Sequence, residues 1–167
     1  MNYSLCARLP ENTLFPLLRS LNFDQIQAYS PLAGGFLTKT PQQLETSNGR
    51  WDKKSLAGRL YRGLYADKPE YMELLTQFQR LSEETGISQG GLAGRWIRWS
   101  SMLGKEDSLI IGSSSVEQLE NMIEELENGP LEDHIVARIN RMWEGVESVA
   151  PTDNWDEFSK LARETSR

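Results

Sequence analysis

Apolar positions recur at helical spacing over much of this chain and collapse into short apolar runs at a few places. Leu14, Phe15, Leu17, Leu18 and Leu21 predict a short helix over 11–21, with Pro16 tolerable only in a first turn. Residues 23–29 read as a strand that stops at Ser30-Pro31, where proline removes a ladder donor. From 38 to 68 no clean period survives, which predicts a long excursion with a helix around 56–65. Pro69 then opens an amphipathic helix whose stripe is Tyr71, Leu74, Leu75, Phe78 and Leu81, and Gly86 ends it. Ser88 caps a further helix carrying Leu92, Trp96, Ile97 and Trp99, where Gly90, Gly91 and Gly94 predict close packing.

Residues 108–111 form a second buried apolar strand, and Gly112 turns the chain into a helix starting near Ser115 or Val116. Val116, Leu119, Ile123 and Leu126 are its expected buried side. Asn128-Gly129-Pro130 stops it, and a last helix spans 132–149 on Ile135, Val136, Ile139, Met142, Trp143 and Val146. The remainder, 150–167, is polar around Trp155 and Phe158 and reads as a loosely attached tail. Strands followed by helices, without a hairpin signal, predict parallel α/β units. Helices are plentiful, yet the strands number two, or three if residues 1–6 form one.

Composition narrows the function classes. The chain has 167 residues with 38% hydrophobic and 25% charged, which fits one soluble globular unit. A net charge of −6 offers no broad attraction to nucleic acid or an anionic membrane, so a phosphate-bearing ligand needs local cations. Cys6 is the sole cysteine, which excludes an internal disulfide and a cysteine zinc site and suits a reducing compartment. No signal peptide and no bilayer span are expected, so the expected location is cytoplasmic.

The two strand ends carry the candidate chemistry. A strand breaking into a small-residue turn exposes backbone amides, and a helix starting directly after a strand adds its positive end. Both suit a phosphate or pyrophosphate. Each also has a plain structural reading, since Gly-Gly makes turns and Ser-Ser-Ser caps helices.

The ordered strings Leu-Phe-Pro-Leu-Leu-Arg, AYSPLAGGFLT, Gly49-Arg50, LSEETGIS, IIGSSSVEQLE and Gly129-Pro130-Leu131-Glu132 change the balance. From Tyr3 to about Trp143 they resemble the C-terminal half of the aldo-keto reductases, most closely the aflatoxin-aldehyde reductase branch. The resemblance implies an α/β fold, a partial (β/α)8 TIM barrel holding the last two or three strands and their helices. Residues 1–149 would be the half-barrel and 150–167 a tail. NADP(H) would lie across the strand ends, where such barrels place their sites.

By the same resemblance Tyr29 stacks on the nicotinamide, and Ser30, Pro31, Leu32, Ala33, Gly34, Gly35 and Leu37 pass beneath the pyrophosphate. Lys39 and Arg50 are the phosphates' cationic partners. Ser113, Ser114, Ser115 and Gln118 hold the adenosine ribose and 2′-phosphate, and Asn121 stands beside the adenine position. The family continues Glu-Gln-Leu with an acidic residue and an asparagine, whereas this chain has Asn121-Met122, which lacks the paired amide hydrogen bonds for adenine. No Lys or Arg lies between Gly112 and Asn121, so NADPH and NADH are not separated by this segment.

Family catalysis is hydride transfer from nicotinamide to a small carbonyl, using a Tyr, Lys, Asp and His that the resemblance places before this chain's first residue. His134 reads as a surface residue, and Tyr61, Tyr65 and Lys68 fall in a cofactor-covering loop. No metal is implied. The alternative is a degenerate, homo-oligomeric protein with an interaction role or a recruited non-redox activity. Unpaired strand edges would in either case favour self-association or docking with a complementing half-barrel.

Overall fold

The structure is a computed structural model that describes residues 1–46 and 49–165. At its centre β1 (Gln27–Tyr29) and β2 (Ser108–Ile110) pair in parallel, Ala28 opposite Leu109. The chain's start adds a third rank as a single bridge: the Tyr3 N–H donates to the Tyr29 carbonyl at 3.1 Å, and the Tyr29 N–H to the Met1 carbonyl at 2.9 Å. Around this open sheet stand α1 (Leu14–Ser20), α2 (Pro41–Thr46), α3 (Leu56–Tyr61), α4 (Pro69–Thr85), α5 (Gln89–Trp99), α6 (Val116–Glu127), α7 (Asp133–Glu144) and α8 (Trp155–Thr165). Few parallel strands, many helices and an unclosed sheet make this part of a (β/α)8 barrel.

The best-patterned helices form as their sequence dictates. In α4 the expected stripe is buried from Tyr71 to Leu81, and Gly86 ends the helix at φ +68°, a left-handed value that costs glycine nothing. Ser88 caps α5 by accepting the Gly91 N–H at 2.9 Å. Of the three glycines in α5, two let α6 approach: a Cβ at Gly91 would stand 2.5 Å from the Glu125 carboxylate, and one at Gly94 3.0 Å from Met122 Sδ.

Elsewhere the structure corrects the pattern. The first strand begins at Gln27 rather than at residue 23, because Phe23 and Asp24 lie in an exposed turn. The second ends at Ile110 and is not buried: Leu109 is half-covered and Ile110 is 51% exposed. Three of the four expected inner positions of α6 are exposed, Val116 73%, Leu119 37% and Ile123 45%, while Leu126 is half-buried beside Gly94 and Met122 makes the buried contact with α5. Both departures have one cause, since among the described residues no strand lies on the outer edge of β2. Residues 56–66 form α3 followed by a π turn, Arg62–Ala66, and α7 stops at Glu144 before a 3-10 turn, Glu147–Val149. Within the expected tail α8 forms, sinking Leu161 against the body while Trp155 and Phe158 stay exposed.

Asp107 fixes the base of the sheet. Its carboxylate accepts the Ile26 N–H at 2.8 Å and the Gly104 N–H at 2.7 Å, and pairs with Arg19 at the end of α1. Burial pushes the carboxyl up, but the Arg19 guanidinium and the two N–H donors outweigh it and hold the group below its ordinary value. Asp107→Ala is expected to cost about 2–3 kcal/mol by leaving those donors unpaired. A depressed native pKa adds stability above the unfolded value near 3.8 and loses it as pH falls through the native value. Denaturant titrations of both proteins should therefore converge on acidification, and a gap that persists in acid would refute this assignment.

Candidate functional site

The loop after β1 is wound unusually tightly. Ser30 at φ +62° and Ala33 at φ +49° are left-handed without being glycine, and Gly34 at +66° and Gly35 at +93° follow. Non-glycine residues in that region cost about 1–3 kcal/mol and persist where surrounding structure fixes them. The Ala33 N–H closes onto the Ser30 carbonyl and the Gly35 N–H onto the Leu32 carbonyl, both at 2.9 Å. Those amides are therefore engaged within the loop, and recognition of an anion falls to side chains around it.

Between this loop and the end of β2 lies a cleft of about 630 Å³. Of the residues expected from sequence, Tyr29, Ser30, Pro31, Leu32, Gly34 and Gly35 line it from β1, and Lys39 and Arg50 from the excursion. Ser113, Ser114 and Gln118 line it from the start of α6. Ala33 and Leu37 have their side chains in the core beneath. Ser115 is the N-cap of α6, accepting the Gln118 N–H at 3.2 Å, and Asn121 is exposed on that helix outside the lining. Met122, expected beside adenine, instead packs against Gly94.

The sequence missed Trp51 and Tyr61 as walls of the cleft. The Tyr61 ring lies over Gly34 so closely that a Cβ there would fall 2.1 Å from its Cε1. Trp51 packs on Tyr61 at 5.6 Å between centroids, and the Arg50 guanidinium stands 5.6 Å over the Tyr61 ring. The Trp51 Nε1–H is buried without a hydrogen-bond partner among the described residues, next to Gly35. The signal available was a paired glycine able to admit a ring, but nothing local named its partner. Thr38, Ile110, Ile111 and Gly112 complete the lining.

Electrostatics favour an anionic guest. Arg8, Arg19, Lys53, Arg62 and Arg138 each pair with a carboxylate, whereas Lys39 and Arg50 have no carboxylate partner among the described residues. Arg50 donates to the Gly34 carbonyl at 3.4 Å and stands over the Tyr61 ring. Two uncompensated cations therefore face one cleft of a chain whose net charge is −6. At the other end the Ser114 N–H, at 3.2 Å, and its hydroxyl, at 2.8 Å, converge on Gln118 Oε1, a two-donor seat for one oxygen.

Burial raises the Tyr29 phenol's pKa, Asp153 and Tyr61 adding to it, so Tyr29 stays neutral at physiological pH. The segment before α8 returns to this rim, where the Asn2 side-chain amide donates to Asn154 Oδ1 at 3.1 Å. Tyr65 is buried, Lys68 Nζ donates to the Val149 carbonyl at 2.8 Å, and His134 is exposed beside Glu132. Burial pushes the Cys6 thiol up to about 12, which makes it a poor nucleophile. No cluster of three metal-ligating side chains occurs among the described residues.

A sequence profile of the Aldo/keto reductase family matches residues 1–144. The oxidoreductase sirO of Leptosphaeria maculans is 38% identical over 89% of this chain and 45% of its own length. An aldo-keto reductase of Pseudocercospora fijiensis is 37% identical over 89% of this chain and 51% of its own length. Aflatoxin B1 aldehyde reductase member 4 of Homo sapiens is 32% identical over 84% of this chain and 45% of its own length. The chain thus spans about half the length of the curated relatives it matches.

Proposed function

From the fact that this chain belongs to the aldo/keto reductase family, we propose that its cleft holds NADP(H) and forms the cofactor-gripping part of a carbonyl reductase. The observation that carries the reading is the pair of cations without carboxylates among the described residues, Lys39 and Arg50, facing one cleft beside the left-handed loop after β1. The donor set fits the cofactor along its length. Tyr29, neutral and half-buried, offers a ring for the nicotinamide; Lys39 and Arg50 meet the pyrophosphate; and Ser113, Ser114 and Gln118 offer hydroxyl and amide groups to the ribose end, where Ser115 caps α6 beside them. Trp51 supplies an uncommitted N–H under the same loop.

The cofactor, when bound, supplies a hydride for reducing an aldehyde or ketone. This chain's residues bind and orient it, and Tyr61 with Trp51 keeps water from the loop's underside. The proton donor that such a reduction needs is not recognisable in this chain. The aflatoxin-aldehyde branch follows from the motif strings; the human aflatoxin B1 aldehyde reductase supports it, while sirO, similar at 38%, carries no such name. Residues 1–149 serve as the cofactor unit and 150–167 as an appendage to it. A single buried thiol suits the cytoplasm, and no described helix is long and apolar enough to cross a membrane. The exposed stripe on α6 supports association with a second copy or with a complementing half-barrel.

Thermal unfolding tests the binding. NADPH that binds only the folded chain raises Tm, by linkage worth about 2.7 kcal/mol at a hundredfold excess over Kd. The purified chain alone is expected not to oxidise NADPH when offered aldehydes. An unchanged Tm at millimolar NADPH would refute the reading, and robust turnover would show that a proton donor is present, with Tyr61 the first to replace.

A further inference from the structure

The two ends of the cleft differ in charge. Its cations, Lys39 and Arg50, both come from the segment after β1, and Arg50 is held there against the Gly34 carbonyl with its guanidinium over the Tyr61 ring. At the β2 end the lining runs through Ile110, Ile111, Gly112, Ser113, Ser114 and Gln118, with no Lys or Arg among the described residues.

The polar groups at that end are largely engaged with one another. Both the N–H and the hydroxyl of Ser114 donate to Gln118 Oε1, the Gln118 N–H donates to Ser115 Oγ at 3.2 Å, and the Leu119 N–H donates to the Ser115 carbonyl at 3.2 Å. The side-chain groups left for a guest are neutral: the Gln118 amide nitrogen and the Ser113 hydroxyl. Glu117 in the first turn of α6 already occupies the favourable end of the helix dipole, and Glu120 follows. With Glu124, Glu125 and Glu127 further along and no Lys or Arg on the helix, the field at this end opposes an added anion, in a chain whose net charge is −6.

Those groups suit one form of a ribose better than the other. A phosphate monoester carries a charge of about −1.5 to −2 at pH 7. A guanidinium takes such a 2′-phosphate, whereas a carboxylate accepts a hydrogen bond from a free 2′-hydroxyl. We propose that the adenosine end of this cleft does not select for the 2′-phosphate, so that the chain holds NADH at least as tightly as NADPH, and that Gln118 occupies the position that sets this choice. The inference rests on the cofactor reading of the cleft and adds its specificity.

Fluorescence titrations of the whole chain with NADH and with NADPH, at low and at high salt, test it. The Kd for NADH is expected to be no more than about threefold above that for NADPH. Lowering the salt should not move the ratio toward NADPH, since no cation at that end gains from weaker screening. Lys39→Ala should weaken both cofactors by the same factor. Gln118→Arg should tighten NADPH about tenfold and leave NADH within about threefold. Ser113→Arg, on the same exposed lining, supplies the guanidinium without removing the Ser114 contact to Gln118, and the Tm of each variant reports whether α6 is intact. NADPH bound more than about threefold tighter than NADH overturns the proposal while the cofactor reading stands. So does a Lys39→Ala protein that loses affinity for NADPH alone, or a cofactor ratio that neither arginine moves. Binding of neither cofactor overturns the cofactor reading itself, and this inference with it.

Discussion

Gly34→Ala is expected to destabilise the chain by about 3 kcal/mol and to abolish NADPH binding at micromolar concentrations. Two causes add. The residue sits at φ +66°, where a Cβ costs about 1–2 kcal/mol. The new methyl would also fall 2.1 Å from Tyr61 Cε1, forcing out a ring that packs on Trp51 and lies under Arg50; overpacking of this kind costs about 1–3 kcal/mol. Gly86→Ala separates the two, since its φ is +68° with nothing within 4 Å of the new Cβ. It should cost only the backbone share, about 1 kcal/mol. Equal losses in the two variants by urea denaturation would show that Tyr61 is not seated on Gly34.

Lys39→Ala and Arg50→Ala should each weaken NADPH binding about 10- to 100-fold, from the roughly 1.5–3 kcal/mol of a hydrogen bond to a charged group. Neither side chain is paired with a carboxylate among the described residues, so removing it strands no buried charge and stability should move by less than about 0.5 kcal/mol. That separation matters. A variant that loses affinity while keeping its Tm has lost a ligand contact rather than a fold. The weakening should shrink as salt is raised in parallel titrations of parent and variant, because screening removes part of what the cation gave the parent. A loss of Tm equal to the loss of binding energy would assign both residues to structure instead.

How much was legible in the sequence depended on whether the deciding contact was local. Helix α4 could be read in full, because its stripe, its Pro69 start and its Gly86 stop all lie within the segment. Helix α2 went unread, since only Leu44 is buried; yet Thr40-Pro41-Gln42-Gln43 holds a capping box, the Gln43 N–H donating to Thr40 Oγ1 at 3.2 Å and the Thr40 N–H to Gln43 Oε1 at 2.9 Å. Helix α6 was located correctly, but of its four expected inner residues Val116, Leu119 and Ile123 are exposed and Leu126 alone is half-buried. Its periodicity is real, but burial of that stripe requires a neighbour that the open sheet does not provide.

The site followed the same division. Tyr29, Arg50 and Ser114 stand in recognisable strings, Lys39 directly follows one, and all four line one cleft, whereas Trp51 and Tyr61 joined it through contacts across the excursion. Asn121 directly follows such a string, but its place on the helix puts it outside the lining. The Met122 substitution illustrates the limit from the other side: what reads as a lost adenine contact is, in the fold, a thioether filling the space that Gly94 leaves between α5 and α6.

The central claim is that this cleft holds a nicotinamide dinucleotide phosphate, and fluorescence titration of NADPH with the purified chain tests it most directly. Saturable quenching in the micromolar range, lost in Tyr29→Ala and Lys39→Ala proteins that still melt like the parent, is the expected result. No binding up to millimolar NADPH, or binding that both variants leave untouched, would contradict it.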